Sequence, residues 1–542
     1  HNTEVNLMSM QQMLIAMAGA GADSYWYGLY DYGSQSGSLA KNHYRFNGVS
    51  IDPDDNIYIA GQRSYNQQYY DNAIFAKLDI DGAIQAQKMY RTNTSGSYDG
   101  GGILYQRYSN SYNNSGATQE SVIANCRDTY DCYWTMNPNT FEPQGQDSIK
   151  VYNKEYDKST LCGPPTGFKW SKSSSNNTCP SIYRTGRDGY VGTIRFQSDN
   201  DRNGTPSNNP YSSNNATYVG SYRIRPYISG GYQTPYWRGI DYIDDGVMAG
   251  GSASDPDYHN VQPYIVMSGD VSNNYDQRIS IGKFSGSGVM GVVWGRYMGR
   301  SLYGSSSGGN LAGGTRCDSS YSYHAFTAMK GTNTSGAGGV TKWDHNGNEQ
   351  WTKFIRDHSS YGGSYPFFNY DWIELKGIDV DSSGNCYVVG HAHSSYDRTV
   401  GLVAKINANG TMGWQNIFYY NQFSSTVGRC RFEFVRLNSF GSLVIVGRMQ
   451  EGSNPSPYYS SNGNSNQYYK GLVLKVAADG SGTGTYGNYT YSSTNFGWQN
   501  WGTGNFATNN SLGGGYNYQN PQRGYKENHE HTASDVISTT SM

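Results

Sequence analysis

Gly377-Ile-Asp-Val-Asp-Ser-Ser-Gly-Asn-Cys-Tyr-Val-Val-Gly390 aligns without a gap on Gly48-Val-Ser-Ile-Asp-Pro-Asp-Asp-Asn-Ile-Tyr-Ile-Ala-Gly61. Each reads as strand, tight turn, strand. The Asp, Asn, Ser and Gly cluster supplies the turn, because these residues accept positive φ or close a local side-chain bond. The flanks alternate Ile, Val and Tyr at period two, as half-buried strands do. Phe434 to Gly447 is a third copy, and Gly239 to Gly250 a shortened fourth. A third strand follows, seen in Ala73-Ile-Phe-Ala-Lys-Leu78, Gly401-Leu-Val-Ala-Lys-Ile406 and Gly471-Leu-Val-Leu-Lys-Val476. After another Gly/Asn/Asp turn comes a fourth strand carrying a tryptophan. Four antiparallel strands in a unit of about 60 residues make the blade of a β-propeller.

Two rulers extend the unit along the chain. Trp170, Trp237, Trp294, Trp351 and Trp414 are separated by 67, 57, 57 and 63 residues. Lys77, Lys283, Lys342, Lys405 and Lys475 each precede a glycine by five residues. A fixed period of this kind means one structural unit built many times. Further hairpins are expected at 121–136 and 181–196, and the segment 321–330 holds the place of another. With 48–61, 239–250, 377–390 and 434–447 these make seven. The two blades between Lys77 and Lys283 should have third strands near 148–152 and 217–224. Trp26 stands before the first hairpin, where no tryptophan follows Lys475. An N-terminal strand that completes the last blade explains both, and removes exposed sheet edges.

The expected fold is therefore all-β: a seven-bladed β-propeller of four-stranded antiparallel blades, closed by the N-terminal strand. Long loop insertions and extended terminal arms decorate it. Residues 1–22 form an N-terminal arm or short helix, 23–487 the propeller, and 488–542 an extended Gly/Asn-rich tail.

Composition narrows the function. The 542 residues carry a net charge of −2 and only 15% charged residues, so there is no basic stripe for nucleic acid. Fifty-one tyrosines with 69 glycines suit a surface that meets partners through aromatic and amide contacts. No segment reaches the roughly 20 apolar residues of a membrane-spanning helix. Residues 7–20 have the look of a signal-peptide core, but no Lys or Arg precedes them.

Chemical motifs are sparse. Asp52-Pro-Asp-Asp-Asn56, Asp79-Ile-Asp-Gly82 and Asp379-Val-Asp-Ser-Ser-Gly384 resemble calcium loops but lack the closing glutamate, and read first as turns. His391-Ala-His393 and His529-Glu-His531 could each present two metal ligands, without a third identifiable by spacing. No nucleophile elbow, phosphate loop or Cys/His pair stands out. No catalytic residue, metal or cofactor is expected. The repeat lysines read as packing between blades, with their ammonium groups at the rim. Seven cysteines do not form a closed framework, although Cys162 and Cys179 flank one loop as a candidate disulfide.

Residues 91–117, 137–180, 197–216, 298–320 and 452–469 lack strand periodicity and read as insertions, where function concentrates. Tyr152, Tyr156, Tyr211, Tyr218, Tyr227, Tyr232 and Tyr236 make 150–240 aromatic, a candidate glycan or partner surface. Met8, Met10, Met13, Leu14 and Ile15 in the leading arm, and Trp498 and Trp501 in the tail, are candidate assembly contacts. The tail is too polar to fold alone and would order on a neighbour.

The repeat core at 377–390, followed by Gly401-Leu-Val-Ala-Lys-Ile-Asn-Ala-Asn-Gly-Thr-Met-Gly-Trp414, resembles the seven-bladed "SBBP" repeat of bacterial surface proteins and many marine phage proteins. The resemblance covers most of 23–487. The stretch Met8-Ser-Met-Gln-Gln-Met-Leu-Ile-Ala-Met-Ala-Gly-Ala-Gly21 is similar to the leader of propeller proteins of marine tailed phages. Together with the arms and the uncharged surface, this implies a non-enzymatic structural or adhesion protein of a phage virion: a tail fibre, tail tip or capsid decoration. Its expected partners are other subunits of the same particle in a homo-oligomer or symmetric assembly, and a cell-surface glycan. Nucleic acid is not expected. A secreted or cell-surface bacterial lectin or filament subunit is the alternative, and a secreted glycan-degrading enzyme the third.

Overall fold

The computed structural model describes residues 25–30, 42–65, 69–92, 99–110, 118–127, 131–141, 149–151, 160–163, 168–170, 181–185, 190–196, 216–223, 227–228, 231–232, 234–243, 264–273, 276–285, 291–298, 310–330, 335–356, 370–394, 399–421, 429–451, 468–501, 506–508 and 529–531. The leading arm lies outside them. Every regular element among the described residues is a strand. The strands form antiparallel runs of four, spanning 42–92, 99–151, 161–223, 234–298, 310–356 and 370–420. Arg429–Leu437, Ser442–Glu451 and Tyr468–Ala477 make three strands of a further run. Trp26–Tyr30 is its fourth, with Trp26 opposite Lys475.

Neighbouring runs pack face to face. Val444, Val446 and Val473 of the last run share one core with Phe46, Ile57, Ile59 and Ile74 of the first. Burying each such side chain stabilises the fold by about 1.5–3 kcal/mol. Stacked antiparallel runs whose first strands converge are β-propeller architecture.

The repeated turn has a physical reason. Oδ1 of Asp381 accepts the Ser383 and Asn385 N–H groups, both at 2.9 Å. Its Oδ2 accepts Asn385 Nδ2 at 2.9 Å and the Tyr387 hydroxyl at 3.1 Å. Asp52 makes the same set with Asp54, Asn56 and Tyr58. One carboxylate thus satisfies the turn and ties it to the second strand. The resemblance to a calcium loop comes from this turn chemistry.

Several expectations need correcting. The hairpins at 121–136 and 181–196 are second and third strands of their runs, not first and second. The segments expected as third strands are fourth strands, Ile149–Val151 and Ala216–Arg223. The true first strands, Asp99–Asn110 and Leu161–Cys162, lie in stretches read as loops. Asp99 is followed by three glycines, which blur the alternation, and the second strand has two residues, too few for any pattern. Asn310–Cys317 is likewise a strand inside the supposed insertion 298–320, and 321–330 is one strand paired with it rather than a hairpin. The hairpin expected at 239–250 begins on Thr234–Tyr242, which pairs with Tyr264–Asn273 instead; residues 244–250 lie outside the described residues. Two tryptophans leave the ruler. Trp237 is on a first strand, and Trp170 is on a short strand parallel to Asp99–Asn110.

The tail departs furthest from a free arm. Tyr489–Ser493 pairs with Met412–Tyr420, Gly497–Trp501 with Glu349–Arg356, Phe506–Thr508 with Gly291–Met298 and His529–His531 with Ile84–Thr92. Its first three strands thus lie on successive runs in reverse order, the fourth lies on the first run, and each adds a fifth strand to an outer edge. A polar Gly/Asn chain has no core of its own, but its backbone can satisfy the open donors and acceptors of those edges.

Candidate functional site

The first strands of all the runs meet on a cavity of about 250 Å³. Its lining is decided by a recurrent irregularity. The first strands carry β-bulges between Phe46 and Gly48, Trp237 and Gly239, Leu375 and Gly377, and Phe432 and Phe434. A bulge inserts one residue without a cross-strand partner and re-aims it. The inserted residues are Asn47, Arg238, Lys376 and Glu433, and all four line the cavity. A glycine after the bulge admits the next run: a Cβ on Gly377 would lie 2.9 Å from Phe434 Cα.

Charge is concentrated here. Arg45, Arg238, Lys376, Arg431, Arg436 and Arg448 line the cavity with Glu374 and Glu433. Arg238 is held by Asp270, with its Nη2 3.3 Å from Oδ2. Arg45 Nε donates to Asn47 Oδ1 at 2.7 Å and lies 3.8 Å from Glu433. Lys376 pairs with Glu374. Burial works against the Glu374 charge, but Lys376 and His391 outweigh it and hold the carboxyl down at about 2. Burial, followed by Arg431, brings His391 down to about 3, so its imidazole is neutral at pH 7. His391 Nε2 lies 3.5 Å from Glu374 Oε2.

Behind the lining, Arg316 bridges two runs. Its Nε donates to Asp379 at 2.6 Å and its Nη1 to Asp241 at 3.2 Å. The same carboxylates accept backbone N–H groups of the next run, Leu437 at 2.6 Å and Cys317 at 2.8 Å. Burial opposes the Arg316 charge, but the two aspartates outweigh it and raise its affinity for the proton. This polar layer stitches runs together around the cavity.

The aromatic candidates do not form one site. Tyr236 is half-buried and lines the cavity. Tyr218 lies opposite Ile194 in a fourth-to-third strand pairing, and Tyr227 lies opposite Tyr232 in a short hairpin. Tyr152, Tyr156 and Tyr211 lie outside the described residues, as do Met8, Met10, Met13, Leu14 and Ile15. Cys162 is buried on its two-residue strand, while Cys179 lies outside the described residues. Trp498, expected as an assembly contact, instead packs on its own chain and donates from Nε1 to the Gly410 carbonyl at 3.1 Å. Trp501 stands opposite Thr352 in the same pairing.

The repeat lysines are structural and lie outside the cavity lining. Lys283 sits 4.2 Å from the Tyr264 ring centre and Lys342 3.9 Å from that of Tyr321. Both lysines are buried, and a cation over an aromatic face on the neighbouring strand is favourable by about 2 kcal/mol when desolvated. Sequence reasoning missed Arg45, Arg238, Glu374, Lys376, Arg431 and Arg436. A signal was present: Asn47-Gly48, Arg238-Gly239 and Lys376-Gly377 all place a polar residue before the glycine that opens a hairpin copy.

No family model matches this chain, and no curated protein matches it. Solved structures similar to it include the WD40 β-propeller domain of Doa1, at 9% identity over 83% of this chain and 97% of that one, with a TM-score of 0.35. Drosophila Semaphorin 2a is similar at 9% identity over 83% and 76%, with a TM-score of 0.36. Aleuria aurantia lectin, solved with α-methyl-L-fucoside, is similar at 9% identity over 71% and 95%, with a TM-score of 0.31. No site or ligand carries over at that distance.

Proposed function

We propose that the chain closes as a seven-bladed ring and serves as a non-enzymatic structural or adhesion protein. Closure is supported by Trp26–Tyr30 completing the last run and by the core shared between the last run and the first. Trp26 also donates from Nε1 to the Ile80 carbonyl of the first run at 2.9 Å. The resemblance of the repeat to phage and surface proteins motivates a virion subunit, as tail fibre, tail tip or capsid decoration, with other subunits and a cell-surface glycan as partners.

The observation that carries the non-enzymatic reading is the state of the cavity's carboxylates. Both Glu374 and Glu433 face cations, and Glu374 is held at about 2. A general acid works best with a pKa near the working pH, and Glu374 is far from that. Imaging of native particles tests the placement. Ring-shaped density of this chain at a symmetric position supports it, and recovery of the chain only as a free monomer overturns it. Release of sugar by the purified protein, abolished in Glu374→Gln, would overturn the non-enzymatic reading.

A further inference from the structure

Among the described residues, the side chains lining the central cavity carry an excess of positive charge. Six cationic side chains stand against two carboxylates, a surplus of four. The layer behind adds Arg316 and subtracts Asp241, Asp270 and Asp379, which leaves two. The chain as a whole carries −2, so this surplus is local.

It is sharpest around Arg431. This guanidinium makes no hydrogen bond or ion pair among the described residues, while Arg448, Glu374 and Glu433 surround it at longer range. Burial, then the like charge of Arg448, disfavours its charged form. Beside it His391 is 3% exposed, and its Nδ1 has no hydrogen-bond partner. Arg436, further along the same strand, gives one donor to its neighbour's carbonyl, Val435 O, at 3.2 Å. Buried polar groups in folded proteins are normally satisfied. A positively charged cavity, with a guanidinium that makes no hydrogen bond among the described residues and an orphaned imidazole nitrogen beside it, is suited to an anionic partner.

We propose that the central cavity is an oxyanion-binding site, in which Arg431 and His391 meet a carboxylate, phosphate or sulfate group and Arg448 and Arg436 supply the surrounding field. The site stands whether or not the chain is a particle subunit. The planar guanidinium fork suits two oxygens of one group. The imidazole's Nε2 faces the Glu374 carboxylate at 3.5 Å, and an anion at Nδ1 would draw the ring proton across, or a second proton onto the ring, so that Nδ1 donates to it.

Titration calorimetry of the full chain tests this, with inorganic phosphate, inorganic sulfate and glucuronate as probes and glucose as the neutral control. Binding of at least one anion, weakening as salt rises, is expected, with glucose silent. Arg431→Gln should weaken it by about tenfold to a hundredfold, the usual range for a hydrogen bond to a charged group. His391→Phe should weaken it less, and Arg431→Lys should restore part of the loss. Preference for glucuronate would identify an acidic glycan, whereas equal affinity would identify a free oxyanion. No binding of any anion at millimolar concentration overturns the proposal. So does binding unchanged in an Arg431→Gln variant whose circular dichroism matches the parent.

Discussion

The indole of Trp414 is hydrogen-bonded to one run and rooted in another: its Nε1 donates to the Ala478 carbonyl at 2.9 Å, and its ring covers Gly480, two residues further on. Gly480 has φ +82°, and a Cβ there would lie 2.6 Å from the ring. Trp26, Trp294 and Trp351 make the same contact with Ile80, His345 and Ala408. The tryptophan ruler and the glycine ruler are therefore two halves of one device that locks each run to the next. Gly480→Ala meets both the left-handed backbone, at about 1–2 kcal/mol, and the indole. We expect a loss of about 2–3 kcal/mol in chemical denaturation. Trp414→Phe keeps most of the packing and should lose about 1 kcal/mol for the hydrogen bond. Equal stability of Gly480→Ala and the parent would remove the lock from the account.

What the sequence made legible follows from this device. Trp294, Trp351 and Trp414 repeat because each must reach a turn carbonyl of the following run, and Asp52 and Asp381 repeat because each satisfies a whole turn. The first strands were less legible where they are shortest or richest in glycine, as at Leu161–Cys162 and Asp99–Gly102. The cavity was harder still. Arg431 and His391 come from different strands of different runs and have no fixed spacing. Bulge residues such as Arg238 and Lys376 look like ordinary surface charges until the bulge turns them inward.

The tail should act as a strap. Tyr489 and Tyr491 are buried in the core of the last two runs, and their strand covers the outer edge of Met412–Tyr420. Tyr491→Ala should cost about 3–5 kcal/mol, in the range of large aromatic truncations. Truncation after Gly487 should lower the denaturation midpoint and shift size-exclusion elution toward larger species, because open edges pair. A truncated chain as stable and monodisperse as the parent would show that the strap is dispensable.

Asp379 joins three strands through one carboxylate, holding Arg316 on one oxygen and the Leu437 amide on the other. Asp379→Ala leaves a guanidinium flanked only by Asp241 and a backbone donor without its acceptor. Breaking a buried pair from one side costs about 3–5 kcal/mol. Urea denaturation of Asp379→Ala against Asp379→Asn separates the charge from the shape. Asn can still accept the Leu437 amide, so it should recover part of the loss, and identical losses would mean the backbone hydrogen bond contributes nothing.

His324 gives a pH dependence with a defined sign. It is fully buried between Thr315 at 3.0 Å and Ser322 at 3.1 Å, and burial lowers its pKa to about 3. Unfolded, it titrates near 6.5. Its folded value is the lower one, so the neutral form's contribution is complete above about 6.5. It is lost as pH falls toward about 3, because only the unfolded chain takes up the proton. Each such histidine steepens the fall by up to about 1.4 kcal/mol per pH unit. His391 acts in the same direction. Glu374, depressed to about 2, adds its own loss only below its ordinary value of 4.5, so the window from 6.5 to 4.5 isolates the histidines. Denaturation midpoints of the parent and His324→Asn, measured across that window, should converge as pH falls. Two parallel profiles would mean that His324 is already protonated in the fold.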